Sequence, residues 1–279
     1  MTLYHYTSID SLACILKNQT IRFTRLDLLD DLEENIHSSG VGIGSYAFAS
    51  CWTDDKEESI PQWKMYTENG LGVRITLDSD MFKDYHNPET LTLSGLRFCT
   101  KDSPLSVTKT PLEDFINPDH IVLPITPAEM NSCLFKRIEY VDNVLEHTRN
   151  CVKIVQGENN YSRVFIYHPS VGKYKNKRWA FQNEVRFVLL IFPGKKFNNI
   201  ETFPIEYEQW LFDVWTHNIP NTITHYDMHL KEGILNTMEI TLSPSMPIPK
   251  QIIVKALVDQ FAPNAKITSS VLSSSVRLK

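Results

Sequence analysis

The sequence has no paired cysteines, no long apolar run and no excess of basic charge, and each absence removes a class of protein. Its five cysteines, Cys14, Cys51, Cys99, Cys133 and Cys151, are odd in number and far apart and form no C-x-x-C pair. They read as reduced, mostly buried thiols, which excludes a disulfide framework. No stretch approaches the roughly 18 uninterrupted apolar residues of a membrane span. The longest apolar run, Phe187 to Phe192, has strand length. The opening MTLYHYTSID carries neither a charged leader nor an apolar h-region, so no signal peptide is expected. The expected location is the cytoplasm, away from membranes.

Charge and motifs narrow the field further. With 28 basic and 33 acidic side chains the net charge is -5, which is not the balance of a strongly electropositive nucleic-acid binder. A local basic groove stays open, and Lys173, Lys175, Lys177 and Arg178 form one such segment. No G-x-G-x-x-G or G-x-x-x-x-G-K-[ST] phosphate loop occurs, and no G-x-S-x-G nucleophile elbow. His225 and His229 sit four apart without the Glu of a zinc hydrolase helix, so they read as surface histidines. The acidic run Asp27, Asp30, Asp31, Glu33 and Glu34 reads as a solvated loop. No metal site is expected.

What is present is an ordinary globular mixture. Of 279 residues 42% are apolar and 11% aromatic, enough for a real core. Leu3 to Tyr6 reads as a strand, and Thr7 or Ser8 caps a helix with Ile9, Leu12, Ala13, Ile15 and Leu16 on one face. Strands follow at Thr20 to Thr24, Tyr46 to Thr53 and Gly72 to Leu77, with a short helix started by Ser59 and Pro61. Further on, Phe135 to Val141, Phe181 to Phe192, Ile205 to Val214, Met238 to Leu242 and Gln251 to Val254 read as strands. Asp142 to Val155 and Arg163 to Tyr174 read as helices. Pro, Ser, Thr and Asp punctuate Lys101 to Pro127, which reads as an inserted excursion or lid. The expectation is a single α+β domain over residues 1–279.

Three features have chemical potential, each with a structural reading beside it. His5 sits in a strand otherwise made of Leu and Tyr. It is either a satisfied core histidine or a hydrogen-bonding partner for a ribose hydroxyl. Strand alternation places Gln182, Glu184 and Arg186 on one face. That face is either half-exposed, with a Glu–Arg pair of little consequence, or the floor of a cleft. There a carboxylate could stabilise positive charge developing on a sugar. Ser50-Cys-Trp-Thr53, followed by Trp63 and Tyr66, supplies aromatics that either stack on a flat heterocycle or fill the core.

Together these segments resemble a known family. Leu3-Tyr-His-Tyr-Thr7, Leu29-Asp-Asp-Leu-Glu-Glu34, Ser50-Cys-Trp-Thr53, Trp63 and Tyr66 before Gly70-Leu-Gly72, and Trp179-Ala-Phe-Gln-Asn-Glu184-Val-Arg186 follow one another in that order. The order is similar to that in the prokaryotic family labelled domain of unknown function 2971, over residues 3 to about 190. Asp30 and Leu32 stand where that family usually has Asn and Pro. Gln182 stands where an acidic residue is common, and Val185 where Tyr is usual.

More distantly, the strand-borne His, the aromatic region after a Ser-bearing strand and the late Glu resemble the His-Tyr-Glu pattern of ADP-ribosyltransferases. That resemblance implies a split mixed sheet with flanking helices and NAD as substrate. It implies that His5, Tyr6 and Thr7 hold a ribose, that Tyr66 stacks the nicotinamide with Trp63 as competitor, and that Ser50 supports Glu184 from a neighbouring strand. Arg186 would be among the NAD-binding residues, and Glu184 would be catalytic. The acceptor would be a protein or a nucleic acid, and the role that of a toxin or phage-defence effector with a cognate antitoxin or regulator. Two other classes fit the same residues. One is a non-catalytic nucleotide- or partner-binding module. The other is an RNA-directed hydrolase with His5 as acid or base and a metal on the acidic loop.

Overall fold

The computed structural model describes residues 1–34, 37–38, 41–93, 95–123, 125–156, 162–197 and 202–278. The molecule is mixed α+β. Its centre is a ten-stranded sheet. The strands are β1 (Thr2–Thr7), β2 (Thr20–Arg25), β3 (Ala47–Thr53), β4 (Val73–Asp78) and β5 (His120–Val122), then β6 (Phe135–Arg137), β7 (Glu184–Pro193), β8 (His225–His229), β9 (Glu239–Leu242) and β10 (Lys266–Ser269). The main path runs β5-β7-β3-β1-β4-β9-β10, with β6 on β7 and β8 on β2.

Around β3 the sheet divides. One edge of β3 is paired with β7 along its whole length, from Thr53 opposite Glu184 to Ala47 opposite Leu190. The other edge is shared. β1 meets it at Tyr4 opposite Thr53, while β2 meets it at Ala49 and Phe48. Between those two points Ser50, Cys51 and Trp52 have no strand partner on that edge among the described residues. β1 and β2 are joined by helix α1 (Ile9–Asn18), whose Ile9, Leu12, Ile15 and Leu16 are buried. That face shares one core with Leu3 of β1 and Ile21 and Phe23 of β2. Ser8 caps α1 by accepting from the Ser11 amide, as the sequence indicates.

β7 is the spine. All ten of its residues are buried, and alternation sends them into two different cores. Val185, Phe187, Leu189 and Ile191 join the core under α1 and β4. Val188, Leu190 and Phe192 join a second core with Tyr46 and Trp215. Each large apolar side chain so buried contributes about 1.5–3 kcal/mol. Glu184 and Arg186 share a face, as alternation requires. They are 5% and 0% exposed, so a half-exposed strand is ruled out.

Several elements differ from the sequence reading. Phe181 to Asn183 precede the strand: Lys177–Gln182 is a 3-10 turn, and Asn183, at φ 41°, swings the chain into β7. Only α3 (Val144–Thr148) is helical in Asp142 to Val155, and Val152–Gln156 is a strand paired with Ser162–Ile166. Arg163 to Tyr174 is therefore not a helix; its β-branched and aromatic residues pair instead. Ile205 to Val214 lies in helix α4 (Phe203–Thr216), and Gln251 to Val254 in helix α5 (Ile248–Phe261). Each begins with Pro in its first turn, and Val254 and Val258 are buried one turn apart. Phe135 to Val141 is two short strands separated at Ile138. Within 101–127, read as an excursion or lid, β5 pairs with β7, and Ile121 and Val122 are buried core residues. Apolar alternation there is short but sufficient to fill a sheet edge.

Among the described cysteines, Cys14 and Cys99 are exposed, Cys51 is half-buried and Cys151 is buried. Burial is thus not the rule for these thiols. The reading of Cys133 lies outside the described side chains. No helix among the described residues is long and apolar enough to cross a membrane.

Candidate functional site

The gap in the sheet opens onto a cavity of about 270 Å³. Its walls include β1 and β2 on either side of the gap, the β3 edge between them, the start of β7, and helix α2 (Ile60–Tyr66). Ser59 caps α2 and Pro61 occupies its first turn, which aims Gln62 and Tyr66 at the cavity.

His5 and Glu184 line this one cavity, together with Tyr6, Ser50 and Tyr66. His5 Nδ1 lies 2.7 Å from the Cys51 carbonyl oxygen. A carbonyl only accepts, so Nδ1 carries the proton and the neutral ring has a bare Nε2 acceptor. The imidazole thus takes up the carbonyl that the divided sheet leaves without a strand partner. Burial lowers the His5 pKa, against the opposing effect of the Cys51 hydrogen bond. Its ring leans on Trp52 at 5.0 Å between centroids.

Behind Glu184 lies a buried ionic cluster. Arg186 Nε donates to Glu184 Oε1 at 2.7 Å, and its two terminal nitrogens donate to Glu34 at 2.5 and 3.2 Å. Lys175 Nζ reaches Glu184 Oε2 at 3.2 Å, Glu34 Oε1 at 3.2 Å and Gln182 Oε1 at 2.8 Å. The contacts to Glu184 and Gln182 are hydrogen bonds, and the one to Glu34 is an ion pair. Burial alone would raise the Glu34 carboxyl, but Arg186 and then Lys175 outweigh it and hold it below the usual carboxylate range. Burial would lower Lys175, yet Glu184 and Glu34 raise it. Burial, and next the Glu184 charge, pushes the Cys51 thiol well up. Tyr140 donates nothing to the carboxylate: the Glu184 amide donates to its hydroxyl at 2.8 Å, and burial pushes that phenol up to about 12.

Several sequence readings change here. Glu34 is 1% exposed and Asp31 6% exposed, so the acidic run is not wholly solvated. Its last member is drawn inside by two cations. Lys175 is buried, Lys173 and Lys177 pair with Glu139 and Asp142, and Arg178 is exposed, so three of the four cations of the basic segment already face carboxylates. Trp63 is completely buried; it packs edge-on to Tyr6 at 4.9 Å and donates to Glu58 at 2.9 Å, a core position outside the cavity wall. Thr7 is buried and does not line the cavity, nor does Arg186, which lies beneath its floor. Ser50 accepts from the Trp52 indole at 2.9 Å and lies opposite Phe187 in register. It therefore does not buttress Glu184, whose opposite residue is Thr53.

Sequence reasoning missed Glu34, Lys175, Gln182, Gln62 and Cys51. Gln182, beside Glu184, and Cys51, within Ser50-Cys-Trp-Thr53, lie on segments that carried a local signal. Glu34, Lys175 and Gln62 are joined to the site by long-range contacts. Compared with known protein families, curated proteins and solved structures, the chain has no match.

Proposed function

We propose that this cavity binds the nicotinamide riboside end of NAD and that the protein transfers ADP-ribose to a protein or nucleic-acid acceptor. The observation that carries the reading is the convergence of His5 and Glu184, 179 positions apart in sequence, on one cavity at the break in the sheet. Its volume of about 270 Å³ is just below the range of about 300–1,000 Å³ common for ligand pockets. That suits one half of a dinucleotide rather than the whole.

The chemistry follows from the groups present. Cleaving the nicotinamide glycosidic bond releases a neutral pyridine and leaves an oxocarbenium-like ribose, so little proton transfer is required. Charge stabilisation and positioning do the work. The bare Nε2 of His5 accepts a hydrogen bond from a ribose hydroxyl. Glu184, at the cavity wall, accepts another and faces the developing positive charge. Arg186 and Lys175 fix the orientation of its carboxylate. Tyr66 borders the nicotinamide end.

A second reading has a specific observation in its favour. Both Glu184 oxygens already meet cations, an arrangement equally suited to a nucleotide-binding module without chemistry. The RNA-directed hydrolase is less well supported, because Glu34 of the acidic loop is committed to Arg186 and Lys175. Incubation with NAD separates the first two. Release of free nicotinamide, lost in Glu184→Gln, supports transfer; saturable NAD binding with no nicotinamide release overturns it in favour of the binding module.

A further inference from the structure

The hydrogen-bond pattern around Gln182 determines the polarity of a neighbouring phenol. Gln182 Oε1 accepts from Lys175 Nζ at 2.8 Å. An ammonium has only donors, so the side-chain amide has a single consistent orientation, with its NH2 on the other side. That NH2 donates to the Tyr66 hydroxyl oxygen. The rest of Gln182 is held as firmly: its backbone carbonyl accepts from Gln62 Nε2 at 2.8 Å, and the residue is 5% exposed. Tyr66 is half-buried on the cavity wall. Its oxygen is already an acceptor, and no second partner for its hydroxyl occurs among the described residues. The phenolic hydrogen is left to point at a ligand.

We infer that Gln182 is a specificity-determining residue that fixes Tyr66 as a hydrogen-bond donor, so that the cavity selects ligands with an acceptor oxygen at that point. The chain of cause runs from Glu34 and Glu184 through Lys175 and Gln182 to Tyr66. An acid at position 182 would reverse its last link. A carboxylate keeps the contact to Lys175 but accepts from the phenol, turning the Tyr66 hydrogen away from the cavity and offering lone pairs instead. Only the identity of the ligand, the nicotinamide riboside end of NAD, rests on the proposed function.

The polarity is measured first on the ligand-free, full-length chain. The tyrosine Fermi doublet in ultraviolet resonance Raman spectra distinguishes a phenol oxygen that accepts from one that donates, and subtracting the Tyr66→Phe spectrum isolates Tyr66. Wild type is expected to show an accepting phenol and Gln182→Glu a donating one. If Gln182→Glu does not fold, Gln182→Met reads the same point, since losing the donated hydrogen moves the doublet away from the accepting form. An unchanged doublet in the folded variant overturns the inference, whether or not NAD is a ligand. NAD titration is the second arm. Gln182→Glu and Tyr66→Phe are each expected to weaken binding by about tenfold or more, with the double variant no weaker than Tyr66→Phe. Additive losses overturn the inference. Absence of NAD binding to wild type with the doublet shift intact overturns the proposed ligand and leaves the role of Gln182 standing.

Discussion

At the scale of single residues, Glu184 has two roles that a substitution would disturb together. It lines the cavity, and it closes the ionic cluster with Arg186 and Lys175. Glu184→Gln is expected to reduce nicotinamide release by a hundred- to thousandfold, about 2.7–4 kcal/mol of lost transition-state stabilisation. It is also expected to lower the unfolding temperature, because removing one partner of a buried ion pair costs about 3–5 kcal/mol. Glu34→Gln separates the two effects. Glu34 is as deeply buried and meets the same cations, yet it does not line the cavity. Denaturant unfolding should show a stability loss of similar size, with the rate of nicotinamide release falling much less. Equal loss of rate in both variants would remove Glu184 from its catalytic assignment.

At the scale of elements, the cavity depends on how closely α2 and β1 approach at Gly72. A Cβ built there would lie 2.1 Å from the Thr7 carbonyl oxygen and 2.8 Å from Thr67 Cβ. Backbone cannot yield as a flexible side chain can, so β1 would have to move. Gly72→Ala is expected to destabilise the protein by about 1–3 kcal/mol and, by displacing the strand that carries His5, to weaken nucleotide binding as well. Thermal unfolding and NAD titration on the same preparation check both effects. Ser59→Ala removes the side-chain N-cap of α2 and keeps the backbone amide that donates to the Tyr6 hydroxyl of β1 at 2.9 Å; it is expected to cost about 0.5–2 kcal/mol, with a smaller effect on binding than Gly72→Ala. An Ala at position 72 that left stability unchanged would contradict the close packing of these elements.

At the scale of the whole molecule, stability should fall toward acid in two stages. Burial lowers the His5 pKa in the fold, so its contribution is complete above about pH 6.5, the unfolded value. It is lost as the pH drops through the lower folded value. Glu34 is held below the usual carboxylate range despite its burial, chiefly by Arg186. Its contribution is complete above about pH 4.3 and disappears as the pH falls through its own folded value. Unfolding temperatures measured from pH 8 to 3 should therefore decline first through His5 and then through Glu34. His5→Gln, which retains a donor for the Cys51 carbonyl but does not titrate, should flatten the first stage only. An identical first stage in that variant would show that the imidazole is not the group being protonated.

Local order was legible wherever a segment carries its own signal. The Ser8 cap and the apolar face of α1, the Ser59–Pro61 start of α2, and the alternation of β1, β3 and β4 are all written in short stretches of chain. The alternation of β7 from Glu184 onward was equally plain. Signals failed where β-rich composition and helical spacing compete. Ile205 to Val214 and Gln251 to Val254 contain strand-forming residues, yet proline starts and burial at one-turn spacing make them helices. His5 could be picked out because it sits among Leu and Tyr on a strand, and Glu184 because strand alternation puts it with Gln182 and Arg186 on one polar face at the start of an apolar run. Glu34 and Lys175 could not, since an acid in an acidic run and a lysine among lysines look solvated.

What the sequence by itself determined is therefore the set of short-range elements and the identity of their unusual polar residues, because helix and strand periodicity act over a few positions. Only the tertiary structure decided that β1 and β2 share an edge of β3, leaving a gap between them. It alone decided that Glu34, Lys175, Glu184 and Arg186 neutralise one another behind that gap. Charges can be carried inside only in mutual contact, and that contact joins residues up to 152 positions apart, a pairing that no local pattern encodes.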